Sequence, residues 1–455
     1  MIEKTKQSFH NLFKEENGDV QTDYNLIKTM IELIPEELFS NPNTKWLDPG
    51  CGYGYFSVMI YEKLFNSLKF NIENKEQRKN HITKNMIFMS EYNPFYFNHL
   101  KETFGEDANI IEGNFLEWDT DIKFDVIIGN PPYNCNGIKK VPKNKFLKKK
   151  QDGNTIWHKF IIKSLNLLEK NGYLCFIVPS IWMKPDKANM YSLLVEDKSR
   201  TLLKIICMNN TETNKIFHGN AQTPTCIFLL ENKESCIDHV KIWDYCKYTD
   251  FKLTKQIPIP VLGCSIINKL LYYVETYGSI SPYVKKTNLP SNKVVISESS
   301  SSVNCYINVK TCKIDNNNRG QLYFNYSDKP LQYYGLRKLI FAHKMYGFPY
   351  YDEKGKYGLS TRDNYVIFEK TPDELKILQK FFSTIFARYL FECTKYRMMY
   401  LEKYIFELIP DICKIPNFPI NIVDSELFKF FSLDIIEIIS ITSKNKKIYK
   451  TFCDD

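Results

Sequence analysis

The residues best suited to chemistry are Asn130-Pro131-Pro132-Tyr133, reached directly from the apolar run Phe124-Asp125-Val126-Ile127-Ile128-Gly129. An exocyclic amine on a planar ring is a poor nucleophile, because its lone pair is delocalised into the ring. Acceptors aimed at its two hydrogens release that pair. The side-chain oxygen of Asn130 is one such acceptor; the carbonyl of Pro131 is a second, on backbone with restricted φ and no competing N–H. Tyr133 adds a flat face on which a base can stack. Two successive prolines cannot continue a central strand, so the chain must leave the sheet here, at the carboxyl edge where open α/β sheets gather their ligands. The tetrapeptide reads as a site for N-methylation of a flat amine. The plainer reading is a strand-ending turn, since Asn-Pro and Pro-Pro are ordinary breakers.

The elements that must position such a site lie upstream. Lys45-Trp46-Leu47-Asp48-Pro49-Gly50-Cys51-Gly52-Tyr53-Gly54-Tyr55-Phe56 reads as a short strand, a glycine-rich turn and the start of a helix, an arrangement that cradles nucleotides. Glycines at 50, 52 and 54 let backbone come close to a ligand, and Asp48 at the strand end suits a charged amino group. The next strand, Met86–Glu91, ends in a carboxylate suited to ribose hydroxyls. A third strand and loop, Asn109–Leu116, brings Asn114 for an adenine edge and Phe115 for its face. Taken singly, Glu91 as a solvated charge and Phe115 as plain core are the commoner roles. Their order ahead of the tetrapeptide is what joins them.

With these motifs in this order the chain resembles the S-adenosylmethionine-dependent DNA adenine-N6 methyltransferases of the gamma arrangement. The resemblance covers roughly the first half by motif. It implies a fold, an α/β Rossmann-like methyltransferase domain with a mixed sheet, followed by a C-terminal α+β target-recognition domain. It also implies that Asp48, Gly50, Gly52 and Glu91 hold S-adenosylmethionine, with Asn114 and Phe115 around its adenine, while Asn130, Pro131 and Tyr133 are catalytic. Val20-Gln21-Thr22-Asp23-Tyr24, leading into a helix near Asn25–Leu33, resembles the family's segment at the donor's methionine end, with Thr22 as the candidate contact. Phe217, in a loop before a late apolar strand Thr225–Leu230, matches a second base-clamping aromatic. An ordinary packed aromatic is its alternative. The chain departs from the family at Asn114, where Asp is usual, at Asp23, where proline is usual, and in the polar, lysine-rich stretch Asn66 to Asn85, which reads as a surface insertion.

A length of 455 residues exceeds one such domain and suggests two, 1–235 for methyl transfer and 236–455 for target recognition, the first closing where Glu231–Ser235 turns charged. The net charge of +9 is compatible with a polyanionic partner, here double-stranded DNA. Residues 139–150 hold seven lysines in twelve positions, and Lys139, Lys140 and Lys143 at the catalytic corner are candidates for phosphate contact. Thirteen cysteines without a Cys-x-x-Cys pair, and seven scattered histidines, argue for reduced thiols and against a metal centre. The longest apolar run, Tyr173–Met183, is interrupted by Pro179 and too short for a membrane. A cytoplasmic, soluble protein is expected, with a cognate restriction endonuclease as a possible partner.

After the lysine-rich stretch a helix is expected from Thr155 to about Lys170, with Asn171-Gly172 as its stop, and beyond residue 235 the pattern predicts a helix over Cys264–Thr276, a hairpin over Phe348–Gly358, and a helix from the capping box Thr371-Pro372-Asp373-Glu374 to about Cys393. Arg337, Lys338, Lys344 and Arg362 are candidates for phosphate or guanine contact. RNA-base or protein-glutamine methylation, and a DNA-binding subunit with a decayed site, stay open as alternatives.

Overall fold

The apolar runs expected as strands before residue 130 all form strands in the computed structural model, which describes residues 22–135, 154–217, 219, 221, 223–314, 320–343, 348–397 and 400–444. The chain divides into two compact units, Met1–Trp243 with Lys252–Lys255, and Asp244–Phe251 with Gln256–Asp455.

In the first unit, β1 (Trp46–Pro49), β2 (Ile87–Glu91), β3 (Asn109–Glu112) and β4 (Phe124–Gly129) are parallel. β1 lies between β2 and β4, with Trp46 opposite both Ile87 and Val126. The sheet thus grows outward from β1 in both directions, and the loops leaving β1 and β4 emerge side by side at one edge. β5 (Leu168–Pro179) follows parallel to β4, and β7 (Thr225–Glu231) inserts antiparallel between β5 and β6 (Thr201–Met208). With β8 (His239–Asp244) the order within this unit is β3-β2-β1-β4-β5-β7-β6-β8, while β9 (Lys247–Lys252) falls almost wholly in the second unit. Every residue of β1 is buried, as are all but the last of β7, which is the signature of strands covered on both faces. Helices α1 (Tyr24–Leu33), α2 (Tyr55–Ser67), α3 (Lys75–His81), α4 (Pro94–Phe104), α5 (Trp157–Leu167) and α6 (Asn210–Ile216) complete the unit.

Three expectations change. The polar stretch after α2 is helical: α3 runs into a helical turn, Ile82–Met86, that buries Ile82, Thr83 and Met86. Arg78 is itself buried over the Phe65 ring at 4.2 Å and donates to the Ile72 carbonyl at 2.7 Å. Its lysines mask a narrow apolar side. The helix from 155 stops at Leu167, short of Asn171-Gly172, because Leu168 already pairs with Phe124. Asn171 takes φ 63°, and a Cβ on Gly172 would stand 2.9 Å from the Phe124 carbonyl. The pair therefore kinks the start of β5 rather than capping a helix. Finally, the sheet runs on past residue 235 through β8, where Val240 and Ile242 point inward between exposed neighbours. Alternation at a sheet edge, interleaved with charge, resembles a linker in sequence.

The second unit has two four-stranded sheets. Its strands are β10 (Lys285–Lys286), β11 (Ile296–Ser297), β12 (Tyr306–Ile314), β13 (Gly320–Ser327), β14 (Lys338–Ala342), β15 (Tyr350–Asp352), β16 (Gly358–Leu359) and β17 (Asn364–Ile367). The sheets are ordered β10-β17-β14-β15 and β11-β13-β12-β16. Val309 and Leu359 of one pack with Ile340 and Val366 of the other. The segment 348–358 is not a hairpin: β15 pairs antiparallel with β14, whereas β16 runs parallel to β12. Its glycine turn does form, with Gly355 at φ 66°.

Helix α7 (Cys264–Tyr277) lies where expected, and the capping box opens α8 (Pro372–Phe382). The chain then breaks, and Thr384 caps a separate α9 (Ile385–Glu392), accepting from the Ala387 N–H at 3.1 Å. Of the basic candidates here, Lys338 is wholly buried against Asp352 at 2.6 Å and is not a surface contact. Arg337 donates through Nε to the Glu353 carbonyl at 3.1 Å, Arg362 is exposed, and Lys344 lies outside the described residues.

Candidate active site

The end of β1 builds a turn held from behind by β2. The N–H groups of Gly50 and Cys51 share the Ser90 carbonyl at 2.8 and 3.1 Å. The Gly52 N–H donates to Glu91 Oε2 at 2.7 Å, and the Asn93 N–H to Oε1 at 2.8 Å. Glu91 is thereby fixed at the strand end with both oxygens engaged by backbone. Gly50, Gly52 and Gly54 all have positive φ, at 88°, 55° and 77°. The three differ in purpose. A Cβ on Gly52 would meet nothing within 4 Å, so the turn is open there, whereas one on Gly54 would stand 2.6 Å from Leu100 Cδ2, where α2 meets α4.

Asp48 is buried beneath this turn. Its Oδ2 accepts from the Ser57 hydroxyl at 3.1 Å, while Oδ1 has no hydrogen-bond partner among the described residues, and nor does the buried hydroxyl of Ser90. Burial pushes the Asp48 carboxyl up to about 8, against the Ser57 bond and aided by the Glu91 charge. A buried carboxylate with one unmatched oxygen beneath open backbone fits a ligand that brings a cationic donor.

The tetrapeptide meets this turn directly. A Cβ on Gly129 would stand 2.9 Å from Asp48 Oδ1, and one on Gly50 would stand 3.5 Å from Pro132 Cδ. Asn130 is half-buried, and its Nδ2 donates to the Thr22 hydroxyl oxygen at 3.0 Å. Tyr133 reaches the Ile177 carbonyl through a long hydroxyl contact of 3.4 Å, and burial holds its phenol well above the usual range. Its own carbonyl accepts from the Ile156 N–H at 3.0 Å, and the Cys135 N–H donates to Asn154 at 2.8 Å. The chain on either side of residues 136–153 is thus joined. Lys139, Lys140 and Lys143 lie outside the described residues.

Asp48, Gly50, Gly52, Glu91, Thr22, Asn130, Pro131 and Tyr133 are therefore brought to one edge of the sheet. The other expected residues are placed differently. Asn114 closes its own turn, accepting from the Leu116 N–H at 3.1 Å and donating to Glu117 at 2.7 Å. Phe115 is 2% exposed, its ring stacked on Phe160 at 5.2 Å, and Phe217 is fully buried at the end of α6. Neither ring offers an open face, because both are buried. The aromatic missed in the sequence is Tyr92, 72% exposed and next to Glu91. Its position one residue beyond the strand-end carboxylate was the available signal.

A parallel sheet with one reversed strand, carrying a glycine turn after β1 and Asn-Pro-Pro-Tyr after β4, makes the first unit a Rossmann-like domain of the methyltransferase class. Residues 10–217 match the family described as Eco57I restriction-modification methylase. Among curated relatives, the type II methyltransferase M.AccI of Acinetobacter calcoaceticus is 27% identical over 259 residues, 52% of this chain and 41% of the relative. The type II methyltransferase M.CvrRI of Paramecium bursaria Chlorella virus XZ-6E is 30% identical over 134 residues, 29% of this chain and 30% of the relative. The chain thus spans less than half the length of these relatives. A solved type I restriction-modification methyltransferase subunit from Streptococcus thermophilus is 18% identical, with a TM-score of 0.34 over 50% of this chain and 48% of that one. The family match bears out the resemblance first read from the tetrapeptide and glycine turn.

Proposed function

We propose that the protein is a site-specific DNA methyltransferase that moves a methyl group from S-adenosylmethionine to N6 of an adenine turned out of the duplex. The observation that carries this is the meeting of two loops. The glycine turn that suits a nucleotide-like donor lies against the tetrapeptide that suits an amine, through Gly50 with Pro132 and Asp48 with Gly129. S-adenosylmethionine supplies an electrophilic sulfonium methyl. Asp48 suits its amino group, Gly50 and Gly52 its close backbone approach, Glu91 its ribose, and the exposed ring of Tyr92 its adenine in place of the buried Phe115. Asn130 and Pro131 accept hydrogen bonds from the target amine, and Tyr133 lies against the ring. Holding the two reactants in line replaces an encounter in solution, which is where such a site gains most of its rate.

The second unit serves target recognition in this reading, and exposed Arg362 is its best-placed candidate for phosphate. The family description couples modification with restriction, which supports a cognate endonuclease as partner. Radiolabelled donor offered in parallel to duplex DNA, ribosomal RNA and protein extract tests the reading. Label is expected in DNA as N6-methyladenine, and to vanish with Asn130→Ala while donor binding by calorimetry stays within about threefold of the parent. Label in RNA or glutamine alone, or an Asn130→Ala variant as active as its parent, overturns it.

A further inference from the structure

We infer that Thr22 is a positioning residue for Asn130, its hydroxyl oxygen taking the Nδ2 hydrogen so that the amide oxygen, and not the amide NH2, faces the target amine. The inference rests on the adenine reading above and adds to it a residue that acts through another.

The two ends of an Asn amide have nearly the same shape and opposite chemistry. Turned one way, Asn130 presents an acceptor to the amine hydrogens and releases the nitrogen lone pair. Turned the other way, it sets donor against donor and releases nothing. Rotation about the terminal torsion is soft, so a partner must choose. Thr22 Oγ1, 3.0 Å from Nδ2 although 108 residues away in sequence, is that partner when its own hydrogen is directed away from Asn130, since a hydroxyl that donated would pair with the amide oxygen instead. It is 8% exposed, so the bond is largely shielded from water.

Thr22 is also held firmly. Asp23, next in sequence, caps α1 by accepting the Asn25 N–H at 2.9 Å, which accounts for an aspartate where the family usually has proline. α1 buries Leu26, Ile27 and Met30, and the Met30 carbonyl receives Cys175 Sγ of β5 at 3.8 Å. β5 is the neighbour of β4, whose last residue precedes Asn130. Both ends of the bond are therefore mounted on the same sheet.

A hydroxyl accepts and donates at once, so a donor contact by Thr22 and a grip on Asn130 are separable only by measurement. Thr22→Val keeps shape and removes the hydroxyl, Thr22→Ala does so with less bulk, and Thr22→Ser restores it. With saturating donor and DNA, kcat of the Val variant is expected to fall about tenfold, the scale of leaving a shielded donor unmatched. The dissociation constant for S-adenosylmethionine, from calorimetry on protein without DNA, should stay within about twofold, and Thr22→Ser should return kcat to within about threefold of the parent. If Thr22→Val fails to fold by its melting curve, Thr22→Ala is judged by the same split. A kcat at saturating donor within about twofold of the parent overturns the inference, including the case where only donor affinity drops. A parent that methylates DNA while Thr22→Val matches it removes this inference alone; a parent that labels no DNA removes the adenine reading beneath it.

Discussion

Asp48 shows how one side chain ties fold stability to ligand binding. Its carboxyl is raised from the ordinary 3.8 to about 8 by burial. The folded chain keeps this proton over a range in which the unfolded chain has already lost it, so the ligand-free protein loses stability as pH rises from about 4 to about 8. A cationic amino group binds the ionised form, so donor affinity should move the opposite way. Calorimetric titrations between about pH 6 and 9 are expected to show tightening of up to about tenfold per pH unit, levelling above about 8. Asp48→Asn keeps a partner for Ser57 and should flatten that profile while weakening binding; an unchanged slope would exclude Asp48 as the titrating group. At this scale the sequence was legible for position: Asp48, Glu91 and Asn130 were read as strand-end residues, and they stand at or just past the ends of β1, β2 and β4. Phe115 and Phe217, expected beside a ligand or base, are buried, and the exposed Tyr92 was not singled out. An aromatic's type says that it packs or stacks, and only the fold says which side is covered.

Elements were readable where local chemistry decides them. The capping box at Thr371 and Glu374 forms both reciprocal bonds, at 3.3 and 2.8 Å, and Thr371→Ala should cost about 1 kcal/mol in chemical denaturation. Boundaries set by distant partners were not readable. Asn171-Gly172 looks like a helix stop until β4 backbone is seen to occupy the space beside Gly172, and 348–358 looks like a hairpin until its two halves join different sheets. Gly54 is a related case, since a glycine-rich turn suggests a ligand at each glycine. Here Gly54 serves helix packing. Gly54→Ala adds a methyl 2.6 Å from buried Leu100 at a φ of 77°, and should destabilise by about 3 kcal/mol, the sum of left-handed strain and overpacking. Gly52→Ala meets no neighbour within 4 Å and should cost only the backbone strain of about 1 kcal/mol. A melting comparison of the two checks the distinction.

Across the whole molecule, the division into two compact units predicts two unfolding events. Calorimetry should resolve two transitions, of which saturating S-adenosylhomocysteine raises only that of the first unit, by about 2.7 kcal/mol at a hundredfold excess over its dissociation constant. The buried Lys338–Asp352 pair gives the complementary test. Asp352→Ala strands a buried ammonium and should lower the second transition by about 3–5 kcal/mol while leaving donor affinity unchanged. A single transition shifted by both treatments would contradict independent units. A second unit was expected from length and its α+β character from the family resemblance, while the helix starting at the capping box was legible from local residues. Strand β8, past the charged stretch Glu231–Ser235, was not legible, because it alternates buried apolar residues with exposed ones much as a linker would.

The bonds from Cys135 to Asn154 and from Ile156 to Tyr133 act as a clasp at the base of the lysine-rich stretch. Closing a chain at its roots makes the span between nearly irrelevant to what the roots hold, since doubling that span costs only about 0.6 kcal/mol in closure entropy. The sequence of residues 136–153 can then be lengthened, recharged or replaced at little cost to the placement of Asn130 and Pro131.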